Sequence, residues 1–197
     1  MTLSSQPGLR IHGRLANSQA NGPGKRAVIW FQGCTLGCPG CYNPQTHTGA
    51  GGDWVTAEAL VDWILQLGPE LSGVSISGGE PFEQSRGLRS LVEEIRSRTP
   101  DLSILIFSGF SLDEIRRFTD GPTILAAIDV LIDGRYNQKL HQGRSLLGST
   151  NQNIHCLTSR YTAEEIAATP ATEVSIDPEG RIVLTGVSPL DMESIER

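Results

Sequence analysis

The segment Cys34-Thr35-Leu36-Gly37-Cys38-Pro39-Gly40-Cys41 gathers three of the four cysteines of a 197-residue chain into one short loop. A thiol pair needs no such arrangement. A soft metal centre does, because several thiolates must converge on it from one tight loop. The Cys-x3-Cys-x2-Cys spacing supplies thiolates for three irons of a [4Fe–4S] cluster and leaves the fourth iron open to a small-molecule ligand. A structural zinc completed by the distant Cys156 or by a histidine is the competing reading. Zinc sites usually show paired Cys-x2-Cys units or a matching histidine pair, and one such unit is present here. A disulfide framework fits less well. The chain is read as lacking a signal peptide, and cysteines this close in a Gly-rich loop make poor staples.

The length suits one core, so a single domain over residues 1–197 is expected. With 16 Lys+Arg against 22 Asp+Glu the formal charge is -6, which gives no support to a nucleic-acid surface. No apolar run approaches the ~20 residues of a membrane span. A cytoplasmic location is expected, where reducing conditions keep the thiols free.

Leu9 to Ala16 alternates apolar and polar residues and reads as an edge strand, with His12 at its surface. Asn17 to Lys25 is turn-rich. It is either a surface loop or one whose glycines let the backbone approach a ligand. Ala27 to Phe31 reads as a buried strand that delivers Gly33 and Cys34 to its C-terminal end, where ligands gather in α/β folds. Gln45 to Trp54 reads as a polar loop, and His47 within it is not assigned as a ligand. Thr56 caps a helix running to about Leu67, with Leu60, Trp63, Ile64 and Leu67 on one face.

Val74 to Ser77 is a short strand running into Gly78-Gly79-Glu80-Pro81, a turn whose freed backbone groups can bond an ammonium or a carboxylate. A helix follows with Leu88, Leu91, Val92 and Ile95 inward. The strand Leu102 to Phe107 ends in Ser108-Gly109-Phe110, either a cofactor wall or a plain β-to-α turn. Ser111 to Glu114 forms a capping box. Ile124 to Ile132 contains another strand, with Asp129 inside it and Asp133 at its end. A carboxylate in an apolar strand must be paired or hydrogen-bonded. Asn137 to Gly148 reads as a solvated loop and Cys156 as a small buried apolar residue. A capped helix begins near Tyr161. Thr172 to Ile176 and Arg181 to Leu184 alternate, joined by Asp177-Pro178-Glu179-Gly180. A β-hairpin is expected there, extending the sheet, covering an edge or forming part of a docking surface.

Strands and helices alternate from residue 26 to about 132, which implies parallel β/α units. A complete (β/α)8 barrel takes about 250 residues. The expected fold is therefore α/β, a partial, open β/α barrel followed by a C-terminal β-hairpin.

Several segments together carry a family resemblance. They are the cysteine motif followed by Tyr42-Asn43, Asn21-Gly22-Pro23-Gly24, Phe31-Gln32-Gly33-Cys34, Ser77-Gly78-Gly79-Glu80-Pro81, Asp129 to Tyr136, and Gly148-Ser149-Thr150-Asn151-Gln152. Over residues 9–155 the chain resembles the radical S-adenosylmethionine (radical SAM) superfamily. More narrowly it resembles the activating proteins of anaerobic ribonucleotide reductase, with 156–197 as a C-terminal extension.

The resemblance implies a [4Fe–4S] cluster on Cys34, Cys38 and Cys41, with S-adenosylmethionine chelating the open iron. It places Gly78, Gly79 and Glu80 at the cofactor's amino end, although Glu80 can instead hold the loop by a salt bridge. It puts Asp129, ahead of Asp133, beside the active site. Asn151 falls among small polar residues that can bond the nucleoside or carboxylate, and Ser108 is a candidate wall residue. The implied chemistry is one-electron cleavage of the cofactor's C5′–S bond, giving methionine and a 5′-deoxyadenosyl radical. The implied partners are a flavodoxin- or ferredoxin-type electron donor and a large anaerobic ribonucleotide reductase or other glycyl radical protein. Alternatives are a radical SAM enzyme acting on a small molecule or peptide in specialised metabolism, and a non-enzymatic iron–sulfur carrier or regulator. The carrier reading leaves Gly78-Gly79-Glu80-Pro81 unexplained.

Overall fold

The computed structural model describes residues 8–176, 180 and 182–187. Its centre is one sheet in the order β3-β1-β2-β4-β5-β6-β9. Four strands are parallel neighbours: β2 (Arg26–Phe31), β4 (Gly73–Gly78), β5 (Ser103–Phe107) and β6 (Val130–Asp133). Antiparallel strands flank them, β1 (Leu9–Ser18) and β3 (Asp53–Val55) on one side and β9 (Asn153–Cys156) on the other. The sheet is open between β3 and β9, so the architecture is the expected partial barrel.

Helices α1 (Ala57–Gln66), α2 (Ser85–Arg98), α3 (Leu112–Ile115) and α4 (Gly121–Ala127) connect the parallel strands. The Thr56 hydroxyl accepts from the Ala59 N–H and starts α1, as its sequence predicts. Ser111 and Glu114 complete a reciprocal capping box on α3. Leu88, Leu91, Val92 and Ile95 of α2 and Leu60, Val61 and Ile64 of α1 are fully buried against Ala27, Ile29, Phe31, Val74, Ile76, Ile104 and Ile106. Val61 joins the inward face, and Trp63 and Leu67 pack against the same core at its margin, as expected. Trp63 is only half-buried and carries the Arg14 guanidinium over its ring at 5.0 Å.

The other, concave face of the sheet follows from the two-residue period of a strand. At its N-terminal end the in-register residues are Arg26, Gly73 and Ser103. Next come Val28, Ser75, Leu105 and Val130. Trp30, Ser77 and Phe107 occupy the C-terminal end. Leu146 and Ile166 pack on the middle of this face.

Arg26 was not singled out in the sequence, yet it is fully buried and plugs the narrow end. It donates to Ser75 Oγ at 2.7 Å, Ser103 Oγ at 2.8 Å, the Val74 carbonyl at 2.8 Å and the Pro23 carbonyl at 3.2 Å. The Tyr161 hydroxyl lies 3.3 Å away. Burial holds its pKa below the ordinary guanidinium value, opposed by Tyr161 and Asp129. A Cβ on Gly73 would come within 2.7 Å of this guanidinium and 2.2 Å of Ser103 Oγ, so glycine makes the room.

Five expectations are corrected. Ile124 to Ala127 belongs to α4, so the strand is shorter and Asp129 precedes it instead of lying within it. Asp129 stands at the N-terminal end of β6, the opposite end from the cysteine loop. Its carboxylate accepts from the Ile104 N–H at 2.9 Å, Arg96 at 2.5 Å and Thr158 at 2.8 Å, with Arg160 at 3.5 Å. The polar segment 137–148 is not a bare loop but carries a hairpin of β7 (His141–Arg144) and β8 (Leu147–Ser149). Asp53 to Val55 forms β3, made possible by the unpaired edge of β1. Cys156 is exposed because its alternate strand face is turned outward.

After the short helix α5 (Ala163–Ala167), strands β10 (Thr172–Ile176) and β11 (Ile182–Gly186) pair antiparallel as the expected hairpin. It forms a separate two-stranded sheet and does not extend the main one. Most of its expected turn, residues 177–179, lies outside the described residues, as does Arg181.

Two expected outcomes test this account. Arg26→Met removes every guanidinium donor from this network and is expected to cost about 3 kcal/mol, measured as a lower urea midpoint at unchanged slope. Asp129→Asn is expected to destabilise by about 2 kcal/mol at neutral pH while leaving the cysteine loop intact. Burial pushes this carboxyl up, but the Ile104 N–H, Arg96 and Thr158 together bring its pKa below the ordinary value. Its stabilisation is therefore present above the unfolded carboxylate pKa and lost as pH falls through the folded one. The gap between wild type and Asp129→Asn should shrink on acidification in urea titrations.

Candidate active site

The C-terminal ends of β2 and β4 meet through backbone alone. The Gly79 N–H donates to the Phe31 carbonyl at 2.8 Å, and the Glu80 N–H to the Gly33 carbonyl at 2.9 Å. A Cβ on Gly79 would sit 2.1 Å from the Gly33 oxygen. Gly78 adopts φ of 105° and its Cβ would meet the Phe31 nitrogen at 2.4 Å. Only glycines permit this approach. It fixes the turn after β4 against the residue that begins the cysteine loop.

The loop is held from its other side by the 44–46 turn. The Gly33 N–H donates to the Thr46 carbonyl at 2.8 Å and the Cys34 N–H to the His47 carbonyl at 3.2 Å. Gln32, almost wholly buried, donates to the Thr48 carbonyl at 2.8 Å. Glu83 then takes the Thr35 N–H at 2.9 Å. The glycines at 37 and 40 have φ of 58° and 72°, which lets the chain fold back between cysteines.

Cys34, Cys38 and Cys41 are free thiols, each half-buried. All three line one cavity of about 310 Å³, together with Trp30, Ser77, Gly78, Gly79, Glu80 and Ser108. Burial pushes the Cys34 and Cys38 thiols up from their ordinary pKa. No three His, Cys, Asp or Glu side chains among the described residues converge as the ligands of a single ion.

Glu80 is 1% exposed. One carboxylate oxygen accepts from the Phe82 N–H at 3.0 Å and Ser108 Oγ at 2.9 Å, and the other from the Gly109 N–H at 2.7 Å. Burial pushes its pKa up to about 7 against these hydrogen bonds. The loop is thus tied by neutral donors, and no salt bridge to Glu80 is found among the described residues. A Cβ at Gly109 would come within 2.3 Å of the Leu36 terminal methyl, so a larger residue there would push that side chain aside.

Of the residues chosen from sequence, the three cysteines, Gly78, Gly79, Glu80 and Ser108 come together. Asp129 does not, for the reason given above. Asp133, at the cavity end of β6, instead accepts from the Leu112 N–H at 2.6 Å and Asn153 at 2.9 Å. Asn151 is exposed and ties the Arg135 carbonyl at 2.9 Å; the neighbouring Gln152 reaches the cavity in its place. Gln152 accepts from the Gly148 N–H at 3.0 Å and donates to the Gly134 carbonyl at 2.9 Å.

Sequence reading missed two groups. Tyr42 and Tyr136 lie with ring centroids 5.0 Å apart, and His141 Nδ1 is 2.9 Å from the Tyr42 hydroxyl. Burial raises the Tyr42 pKa, with Tyr136 adding to it. Their separation in sequence hid the cluster. The second group is Leu184, Thr185, Gly186 and Val187, which form a cavity wall from beyond the resembling core.

A family profile described as "4Fe-4S single cluster domain" matches residues 20–155. The chain is 34% identical over 145 residues to the anaerobic ribonucleoside-triphosphate reductase-activating protein of Escherichia coli K12, covering 70% of this chain and 92% of that one. The protein of the same description from Enterobacteria phage T4 is 31% identical, covering 68% and 85%. The crystal structure of QueE from Escherichia coli is similar over 52% of each chain, with a TM-score of 0.43 and 19% identity. The cysteine loop and the glycine turn lie inside the matched region, and with these relatives they show that the chain belongs to the radical SAM superfamily, as an enzyme related to the activating proteins of anaerobic ribonucleoside-triphosphate reductase.

Proposed function

We propose that the protein reductively cleaves S-adenosylmethionine and uses the resulting 5′-deoxyadenosyl radical to generate a glycyl radical on an anaerobic ribonucleotide reductase. The observation that carries this reading is the meeting of the cysteine loop and Gly78-Gly79-Glu80 around one cavity. The names borne by the relatives supply the substrate class.

The donor set fits a [4Fe–4S] cluster. Three disulfide-free thiols from one loop face a cavity whose lining includes no fourth cysteine. In this reading Cys34, Cys38 and Cys41 would hold three irons of a cluster that, when bound, would supply one-electron reduction of a sulfonium. The chain's own residues position that cofactor. Gly78 and Gly79 let it approach the β4 backbone without side-chain interference. Glu80 has roughly four acceptor sites, of which three are filled, so one remains for an ammonium. Ser108 keeps that carboxylate aimed by its own hydrogen bond. Trp30, Phe107 and Leu146 provide apolar walls that keep water from a carbon radical. The electron donor is assigned by chemistry alone, as a flavodoxin- or ferredoxin-type protein.

Anaerobically reconstituted protein given dithionite and S-adenosylmethionine is expected to release 5′-deoxyadenosine. Cys38→Ala is expected to lose iron and yield none by chromatography, while retaining the wild-type far-UV circular dichroism. Release by Cys38→Ala equal to wild type would defeat the assignment. With a cognate large reductase subunit added, a glycyl-radical EPR doublet should appear. Deuterium passing from a small metabolite into 5′-deoxyadenosine, with no protein radical, would favour the small-molecule alternative.

A further inference from the structure

The C-terminal hairpin has its polarity reversed. A two-stranded ribbon normally turns its apolar face to the body of the protein and its polar face to water. Here the polar residues face inward. One Glu173 carboxylate oxygen accepts from Ser18 Oγ at 2.6 Å, the Gln19 N–H at 2.9 Å and the Ala20 N–H at 3.4 Å. Thr185 Oγ1 accepts from Asn21 Nδ2 at 2.8 Å. The opposite face presents the cross-strand pairs Val174–Leu184 and Ile176–Ile182. These are 49%, 49%, 71% and 72% exposed respectively.

The apolar face is continuous with the active-site cavity. Leu184 belongs to both, and Thr185, Gly186 and Val187 carry the wall inward. This wall lies beyond the family match, which ends at residue 155.

We infer that the C-terminal hairpin is the substrate-recognition element of this enzyme, its outer face guiding an extended apolar segment of the protein substrate past Leu184 into the cavity. The inference rests on the proposed protein substrate. A second copy of the chain suits the face less well, since four residues fall far short of the roughly 20–30 a side of a standard interface. A lipid surface suits it less well too. The sequence 172–187 carries Glu173, Asp177 and Glu179 against Arg181, whereas interfacial elements are rich in Lys and Arg. A transient segment anchored by a few aliphatic contacts fits both the size and the place. Cross-strand aliphatic pairs on a pleated face match the alternate side chains of an extended peptide.

The test is Ile176→Ser combined with Ile182→Ser in the full-length, cluster-loaded protein. Neither residue lines the cavity. Iron content, melting temperature and 5′-deoxyadenosine release without reductase are expected to match wild type. The reductase-subunit concentration giving half-maximal glycyl-radical formation is expected to rise roughly 10-fold or more, the effect of removing a small apolar anchor. An unchanged half-maximal concentration overturns the inference while leaving the proposed function standing. So does a wild-type dimer in light scattering that the double variant splits. If the serine variant melts early, Ile176→Thr with Ile182→Thr keeps the β-branched shape, and the same two readouts decide. Wild-type protein that cleaves S-adenosylmethionine but forms no glycyl radical overturns the parent reading and this inference together.

Discussion

One buried cation ties this fold together. Among the described residues the Arg26 guanidinium has no carboxylate within hydrogen-bonding distance, and it is satisfied by hydroxyls and carbonyls from β2's neighbours. A charge so placed is costly to desolvate, and only a complete set of acceptors makes it tolerable. Completeness is what couples the parts. Ser75 and Ser103 bring in β4 and β5, Pro23 brings in the turn after β1, and Tyr161 brings in the segment before α5. The same Ser75 hydroxyl donates onward to the Asn21 carbonyl at 2.5 Å. The narrow end of the open barrel is therefore closed by polar geometry, where a wider barrel would use layers of aliphatic side chains.

That closure bears on the chemistry at the other end of the strands. The parallel register from Arg26–Gly73 through Phe31–Gly78 is unbroken. It carries the glycine turn after β4 to the height of Gly33. Two backbone hydrogen bonds then lock the turn to the root of the cysteine loop. Nothing in this junction depends on a side chain. A cofactor bridging the loop and the turn would meet main-chain groups whose positions are set by strand pairing, and preorganisation of that kind costs nothing when the ligand arrives.

The sequence was legible where local chemistry and local geometry coincide. The helix caps at Thr56 and Ser111, the inward stripe of α2 and the strand-to-turn transition at Gly78 all depend on residues within a few positions of each other. The cysteines, Glu80 and Ser108 were found for the same reason, each lying at the C-terminal end of a strand. What was missed is non-local. Arg26 reads as the polar start of a strand until Ser75 and Ser103 are seen beside it. Asp129 reads as a site residue because its motif is contiguous with Asp133, but the strand between them puts the two carboxylates at opposite ends of the sheet. Asn151 and Gln152 differ by one position, and the turn alone decides which of them reaches the cavity. The β7–β8 hairpin was hidden because β7 is polar and partly exposed while burial falls on Leu146 and on the small residues Gly148 and Ser149, so neither strand alternates strongly enough to be read.

The cavity is thus built from two materials with different tolerances. Beside the cysteines and Glu80, its cofactor end is backbone and glycine, where a side chain at Gly78 or Gly79 would collide with the main chain of Phe31 or Gly33. Another part of its lining is made of the side chains of Leu146, Leu184 and Val187. Asn21 links the hairpin wall to the end of the barrel that Arg26 fills, since its carbonyl answers to the Arg26 network and its amide to Thr185 of the hairpin. An enzyme assembled this way can change what it acts on by altering the hairpin face without disturbing the cleavage machinery. The same link makes the hairpin more than an appendage, because displacing it would leave the Asn21 amide with Ser18 alone as its acceptor and remove one tie on the loop that answers to Arg26.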